Sequence, residues 1–189
     1  VVMTRDSDHF VPLEARISIA LAAAADLMLS LHADALSEGE AVGVTLYSLS
    51  DEASDAASAA LAERHDRDDL LAGVDLTAQD DLVATVLMDM ARTETGPKID
   101  RLATTLVGTI TKAGLPMHRR PYQKAGFSVL KSPDIPSLLI ELGFMSSAVD
   151  LERLNDPIWR ANMAEALRQG IVTWAEAEVA IRDLSVVGD

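Results

Sequence analysis

The sequence predicts an α/β fold, with a single three-layer domain in which a mixed, mostly parallel sheet is flanked by helices. Two short apolar runs, at residues 27–31 and 135–140, support this prediction, because apolar runs bounded by turn residues are typical of buried strands. Longer segments between them carry apolar residues at helical spacing, and strands alternating with helices are typical of this class. A length of 189 residues is enough for one domain with a sizeable core.

Hydrophobic periodicity and turn residues place the other elements. Ser50 is predicted as an N-cap because its hydroxyl can accept a helix N–H. The short connection at residues 132–134 predicts a hairpin, which makes the sheet mixed. Met and Trp residues of the helices are expected in the core. In chain order we predict a strand over residues 1–5, a helix from Pro12 to about Ala25, a strand ending at His32, a strand over 43–49, a helix from Ser50 to about Arg64, helices over 82–90 and, after Pro97, over 99–110, a loop over 116–124, strands over 127–130 and 137–141, and a long final helix through Trp159 and Trp174.

Each apolar run ends in one ionisable residue, His32 in the first case and Glu141 in the second. In open α/β sheets the ligand crevice lies outside the carboxyl ends of the strands, so both residues can face one crevice. The chemistry this indicates is a metal ligand beside a general base. For His32 an ordinary hydrogen-bonded histidine remains an alternative. Asp34, two residues on, is a candidate for the acceptor that fixes the tautomer of the imidazole, with a local turn carboxylate as the alternative. Glu141 is harder to explain structurally, since carboxylates are rarely buried without a partner.

Composition excludes several classes of protein. The net charge of −14 argues against a nucleic-acid partner, because phosphates select basic surfaces. No apolar run approaches the length of a transmembrane helix, and no signal peptide or internal repeat is visible. The chain has no cysteine, which excludes disulfides and cysteine-based zinc sites.

Two longer motifs surround the ionisable residues, Ser-Leu-His-Ala-Asp-Ala at residues 30–35 and Ile-Glu-Leu-Gly-Phe-Met-Ser at residues 140–146. Together with the opening segment, residues 2–16, and the closing helix, they resemble the zinc N-acetylmuramoyl-L-alanine amidases of bacterial cell-wall turnover. The resemblance extends from residue 1 to about residue 175.

The resemblance implies a zinc cofactor, peptidoglycan as substrate and a periplasmic location. It makes His32 a zinc ligand and Glu141 the catalytic acid/base that cleaves the bond between N-acetylmuramic acid and L-alanine. The other ligands of the family lie in an upstream Gly-His-Gly-Gly-type turn and a following helix, which this sequence does not contain. We therefore expect a domain that lacks its N-terminal strand and helix, binds zinc weakly and is inactive alone.

Five basic residues between 112 and 131 are not interrupted by any acidic residue. A solvated loop explains this run simply. Given the resemblance, Arg119, Arg120 and Lys131 are also candidates for binding the carboxylates of the stem peptide.

Residues 63–81 resemble a regulatory insertion of the division-associated members of the family. The resemblance implies a lid over the zinc site, with Glu63 or His65 as the blocking ligand and an activator protein that displaces it. A solvated acidic loop remains the alternative, because clustered aspartates usually face water.

These expectations divide the chain into a catalytic domain over residues 1–180, with the regulatory segment at 63–81, and a C-terminal tail over 181–189. The predicted function is an autoinhibited zinc amidase of cell-wall turnover and daughter-cell separation. The alternative is a non-catalytic module of the same fold that binds the wall or a partner, or an inactive fragment. The presence of both His32 and Glu141 argues against a site that has decayed.

Overall fold

The computed structural model describes residues 1–36, 41–71, 82–132 and 135–187. These residues form a mixed four-stranded sheet flanked by helices, which confirms the predicted three-layer α/β fold. In chain order the elements are α1 (Leu13–Ala22), β1 (Met28–His32), β2 (Val44–Leu49), α2 (Ala56–Leu71), α3 (Leu82–Lys112), β3 (Met117–Ala125), a short 3-10 helix (Ser128–Leu130), β4 (Ser137–Glu141), α4 (Ala148–Asn155) and α5 (Pro157–Val187).

The strands lie in the order β1-β4-β2-β3. β1 and β4 are parallel, because the Met28 N–H donates to the Pro136 carbonyl at their start and the Leu142 N–H donates to the His32 carbonyl at their end. All five residues of β4 are buried, as the apolar run predicts. β1 is buried on one face only, and Leu31 is 56% exposed, because β1 lies at an edge of the described sheet.

β2 and β3 form a second parallel pair. The Val44 N–H donates to the Pro116 carbonyl where these strands begin, and the Ser50 N–H donates to the Ala125 carbonyl where they end. The sheet therefore consists of two parallel pairs, and its mixed character depends on how the inner strands of the two pairs, β4 and β2, are oriented.

Asp150 shows that β4 and β2 are antiparallel. Its buried carboxylate oxygen Oδ2 accepts the N–H of Gly43, which precedes β2, at 2.8 Å and the N–H of Phe144, which follows β4, at 3.1 Å. The end of β4 therefore lies beside the start of β2. Gly43 has φ +90°, and a Cβ there would lie 2.6 Å from the Met117 backbone, so the chain needs glycine at this entry to β2.

The predicted hairpin is wrong, although the mixed sheet is confirmed. Residues 128–130 form a 3-10 helix and not a strand, so no strand precedes β4 in a hairpin. The predicted loop over residues 116–124 is also wrong, because residues 117–125 form the edge strand β3, which contains Pro121. Proline is tolerated there because an edge strand can do without one ladder N–H.

Two helix boundaries also differ from the prediction. α2 begins at Ala56, where the Asp55 carboxylate accepts the Ser58 N–H at 2.8 Å, while the Ser50 hydroxyl accepts only the Glu52 N–H. α2 also continues past Arg64 to Leu71. The competition between several capping residues in one polar segment explains why the sequence misplaces the start.

The helices predicted on either side of Pro97 are one helix, α3, with Pro97 inside it. An interior proline removes one helical hydrogen bond, and tertiary contacts to α5 offset that loss. The Arg101 guanidinium donates to both carboxylate oxygens of Glu178, at 2.6 and 2.8 Å, and the Trp174 indole N–H donates to the Lys98 carbonyl at 3.0 Å. The hydrogen bond from Arg101 lowers the pKa of Glu178.

Residues 1–12, all of which the structure describes, contain no strand. The predicted strand at 1–5 is wrong because its polar groups bond locally: the Arg5 guanidinium donates to the His9 carbonyl at 3.0 Å, and the His9 N–H donates to the Ser7 carbonyl. α1 is confirmed but ends at Ala22. None of the helices that the structure describes is long and apolar enough to cross a membrane.

The chain divides into two compact units, and every strand contributes residues to both. The first unit comprises residues 1–30, 48–97 and 123–139, and its buried residues include Phe127, Leu130 and Leu138. The second comprises residues 31–47, 98–122 and 140–189, and it buries Leu106, Ile140 and Met163.

The predicted core positions of the final helix are confirmed, since Trp159, Met163 and Trp174 are all buried. α3 and α5 approach closely in the second unit, where a Cβ on Gly170 would lie 2.6 Å from Leu106 Cδ2. α5 extends to Val187, into the segment predicted as a tail.

Replacing Asp150 with alanine should lower the free energy of unfolding by about 2–4 kcal/mol, because two buried backbone N–H groups lose their acceptor. The measurement is urea denaturation followed by circular dichroism. Glu152→Ala, an exposed acidic residue on the same helix α4, is the matched control and should change stability by no more than about 0.5 kcal/mol. Equal, small effects of both substitutions would show that the Asp150 contacts do not stabilise the fold.

Candidate metal centre

His32 and Glu141 lie side by side because each is the last residue of one of two paired parallel strands. His32 ends β1 and is half-buried, and Glu141 ends β4 and is fully buried. The sequence predicts that the two residues meet outside the carboxyl ends of their strands. Their placement agrees with this prediction.

Asp34 joins them. One donor atom from each of His32, Asp34 and Glu141 lies within 4.8 Å of the others. The sequence offers Asp34 as a candidate acceptor for the imidazole of His32, with a local turn carboxylate as the alternative, and does not predict it within the metal-ligating group itself. The signal for that placement is its spacing, because residues i and i+2 of an extended chain point to the same face.

Hydrogen bonds continue the pairing of β1 and β4 beyond the ends of both strands. The Asp34 N–H donates to Glu141 Oε2 at 3.2 Å, and the Asp34 carbonyl accepts the Met145 N–H at 2.7 Å. One step further, the Leu36 N–H donates to the Ser146 hydroxyl at 3.1 Å. These bonds fix the backbone on both sides of the site. The backbone positions from which the three side chains extend are therefore defined.

The segment after Glu141 is held from its other side by Asp150. Gly143 packs so closely there that a Cβ would lie 3.0 Å from the Asp150 Cβ. The Arg153 guanidinium donates to Asp150 Oδ1 at 2.9 Å, which satisfies the carboxylate oxygen that does not bind the backbone. Gly143 thus allows a close approach to a structural carboxylate of the protein.

The donor set fits a divalent metal ion. An imidazole nitrogen with carboxylate oxygens is a ligand combination that zinc accepts, and other first-row divalent ions accept it too. The described residues therefore contain a group that can hold a metal ion, and its chemistry does not decide which ion.

Comparison with known proteins identifies the family. Residues 1–173 match the family model described as N-acetylmuramoyl-L-alanine amidase. The chain belongs to this family. The amidase AmiA of Salmonella typhimurium is 36% identical over 176 residues, which are 91% of this chain and 60% of AmiA. The chain thus spans about 60% of the length of that relative.

Solved structures agree on the fold. The amidase AmiC2 of Nostoc punctiforme has a TM-score of 0.58 at 21% identity, covering 93% of this chain and 72% of that one. The CwlD amidase of Clostridioides difficile, solved in complex with the GerS lipoprotein, has a TM-score of 0.62 at 16% identity, covering 93% and 75%. At these identities the likeness shows the fold alone.

The predicted blocking residues of this amidase-family chain lie on α2, in the first unit. Glu63 is exposed and His65 is half-buried, with its ring edge-on to Phe127 at a centroid distance of 5.5 Å. The Asp66 carboxylate accepts both the N–H and the hydroxyl of Ser128, each at 2.9 Å. The predicted regulatory segment therefore begins as anchored helix, and its residues 72–81 lie outside the described part of the chain.

The three predicted substrate-binding residues are not gathered in one unit. Arg119 and Arg120 are exposed on β3, in the second unit, whereas Lys131 is half-buried just after the 3-10 helix of the first unit.

Proposed function

We propose that the protein containing this chain is a zinc-dependent peptidoglycan amidase. It hydrolyses the amide bond between N-acetylmuramic acid and the L-alanine of the stem peptide, in the periplasm. The observation that carries the proposal is that His32, Asp34 and Glu141 lie close together at the carboxyl ends of β1 and β4, in a chain of the amidase family.

His32 binds the metal through one nitrogen of a neutral imidazole, and its position at the end of β1 fixes where the ion lies. Zinc, when bound, supplies Lewis acidity for the scissile carbonyl and lowers the pKa of water. The remaining metal ligands that the resemblance implies are proposed to come from other residues of the full-length protein.

Glu141 acts as general base and then as general acid. Its carboxylate takes a proton from the attacking water and delivers it to the departing amine of L-alanine. The Asp34 N–H donates to Oε2 and so orients the carboxylate, while the buried residues of β4 exclude bulk water from its other sides. Amide hydrolysis needs this proton delivery because the nitrogen would otherwise have to leave as an amide anion, which is a poor leaving group.

The basic residues supply the proposed substrate contacts. Stem peptides carry carboxylates, and Arg119 and Arg120 present exposed guanidinium groups on an edge strand of the described sheet. Lys131 is proposed as a third contact on the basis of the uninterrupted basic run in the sequence.

Glu141→Gln keeps the shape of the side chain and removes its proton transfer. In the full-length protein, zinc content should be unchanged while peptidoglycan hydrolysis falls by about 10²- to 10⁴-fold. Release of stem peptides measured by chromatography and zinc measured by elemental analysis test this. Glu152→Gln, which changes an exposed glutamate on α4, is the control and should leave both values unchanged.

Near-normal hydrolysis by the Glu141 variant would contradict the assigned role. If the full-length protein bound peptidoglycan but released no stem peptide even with Glu63 and His65 replaced by alanine and residues 72–80 deleted, the non-catalytic wall-binding module would be the better description.

We further propose that residues 63–81 regulate the site, with Glu63 or His65 as the blocking ligand and an activator protein that binds the open state more tightly. The resemblance to division-associated amidases supports this, as does the structural neighbour CwlD, which was solved with a lipoprotein partner. The role that follows is controlled cell-wall turnover during daughter-cell separation.

Deleting residues 72–80 from the full-length protein tests this regulation. The deletion begins after Leu71, because Asp66 must remain to hold Ser128. The deletion variant also carries Glu63→Ala and His65→Ala, because both proposed blocking ligands lie on α2, before the deletion. We expect peptidoglycan hydrolysis without an activator, because the lid and both blocking side chains are removed while the catalytic residues stay. A folded, zinc-loaded deletion variant whose activity remains as low as that of the unchanged protein would contradict the proposal and favour the solvated acidic loop.

A further inference from the structure

We propose that Asp66 is the latch of the regulatory segment: its hydrogen bonds to Ser128 hold α2 in the closed state and break when the site opens. This inference deepens the proposed regulation and rests on it. The latch joins α2 to the 3-10 helix (Ser128–Leu130), and both belong to the first unit. It uses neither the metal-binding group nor the proposed general base.

Asp66 caps the 3-10 helix from outside that helix. The first N–H groups of a helix have no acceptor within it, and the preceding residue often supplies one from its side chain. Here the preceding residue is Phe127, whose side chain has no such acceptor. The Asp66 carboxylate accepts instead, with Oδ1 on the Ser128 N–H and Oδ2 on the Ser128 hydroxyl, each at 2.9 Å. Hydrogen bonds accepted by a carboxylate are stronger than those between neutral groups.

Burial makes this contact costly to separate. Ser128 is only 6% exposed and Phe127 is fully buried. The His65 ring lies edge-on to Phe127 at a centroid distance of 5.5 Å, so α2 touches the same segment at two adjacent positions. A buried N–H and a buried hydroxyl that lose their acceptor are unfavourable until water replaces it. The contact therefore stabilises the arrangement in which α2 lies against the 3-10 helix.

The proposed blocking side chains lie on the same helical turn as Asp66. Glu63 and His65 both precede it on α2, within one turn. Because the backbone of a helix is hydrogen-bonded internally, one turn moves as a unit. Displacing Glu63 or His65 from the site therefore displaces Asp66, and the two bonds to Ser128 break in the same step.

A latch of this kind sets how strongly the protein is inhibited before an activator binds. Bonds present only in the closed state add to the free-energy difference between the closed and open states, and their loss shifts the population toward the open state. Asp66 thus affects the ratio of closed to open protein and leaves the chemistry of the open state unchanged.

Asp66→Ala in the full-length protein tests the latch. Release of stem peptides from peptidoglycan without an activator should rise by about tenfold or more, because the closed state loses both bonds. Zinc content should be unchanged. Glu52→Ala, which removes an exposed carboxylate shortly before α2, is the control and should leave the rate unchanged.

Two combinations show that Asp66 acts through Ser128 and through the closed state. Ser128→Ala removes only the hydroxyl bond, so it should raise the rate less, by about threefold, and the double variant should match Asp66→Ala alone. Adding Asp66→Ala to the variant without residues 72–80 and both blocking side chains should change nothing, since that variant has no closed state to release. A residue that only supported the fold would lower the rate in this background.

A folded, zinc-loaded Asp66→Ala variant that stays as inactive as the unchanged protein, while the variant without the lid is active, would overturn the latch and leave the amidase function and its regulation standing. Additive effects of Asp66→Ala and Ser128→Ala would overturn it as well, because the two side chains would not act through one contact. If the variant without the lid were also inactive, the proposed regulation would fail and the latch with it.

Asp66→Asn serves if circular dichroism shows that the alanine variant does not fold. Asparagine keeps the shape of the side chain and loses its charge, so the rate without an activator should rise by about threefold or more. An unchanged rate in this folded variant would overturn the proposal.

Discussion

The parallel pairing of β1 with β4 is the constraint on which the site depends. Because the strands run in the same direction and end together, His32 and Glu141 are neighbours although most of the chain lies between them. A shift of one residue in this register would turn every side chain of one strand to the opposite face. The bonds from Asp34 to Glu141 and Met145 extend the pairing past the strands and fix the register beside the candidate metal centre.

Asp150 supplies the complementary constraint. By binding the backbone at Gly43 and Phe144, its carboxylate joins the end of β4 to the start of β2 and sets the antiparallel centre of the sheet. The same contact holds the segment that follows Glu141, with Gly143 providing the necessary close approach. A single buried acid on α4 thus links the topology of the sheet to the position of Glu141.

The sequence predicted β4, the end of β1 and the juxtaposition of His32 with Glu141, since an apolar run that ends in one ionisable residue is a strong local signal. The sequence-based prediction was wrong where the structure overrides the usual effect of proline on helices and strands. α3 continues through Pro97, and the edge strand β3 accommodates Pro121. The two-residue spacing made Asp34 a candidate partner of the His32 imidazole. The sequence could not show that Asp34 also lies beside Glu141, because that placement depends on the pairing of β1 with β4.

The central claim is that the paired strand ends hold a metal ion in a peptidoglycan amidase. Anomalous diffraction at the zinc absorption edge, from crystals of the full-length protein grown with a zinc salt, tests it most directly. We predict a peak about 2.0–2.1 Å from a ring nitrogen of His32, beside Glu141. A well-ordered His32 and Glu141 with no peak between them, and zinc bound only elsewhere on the acidic surface, would contradict it.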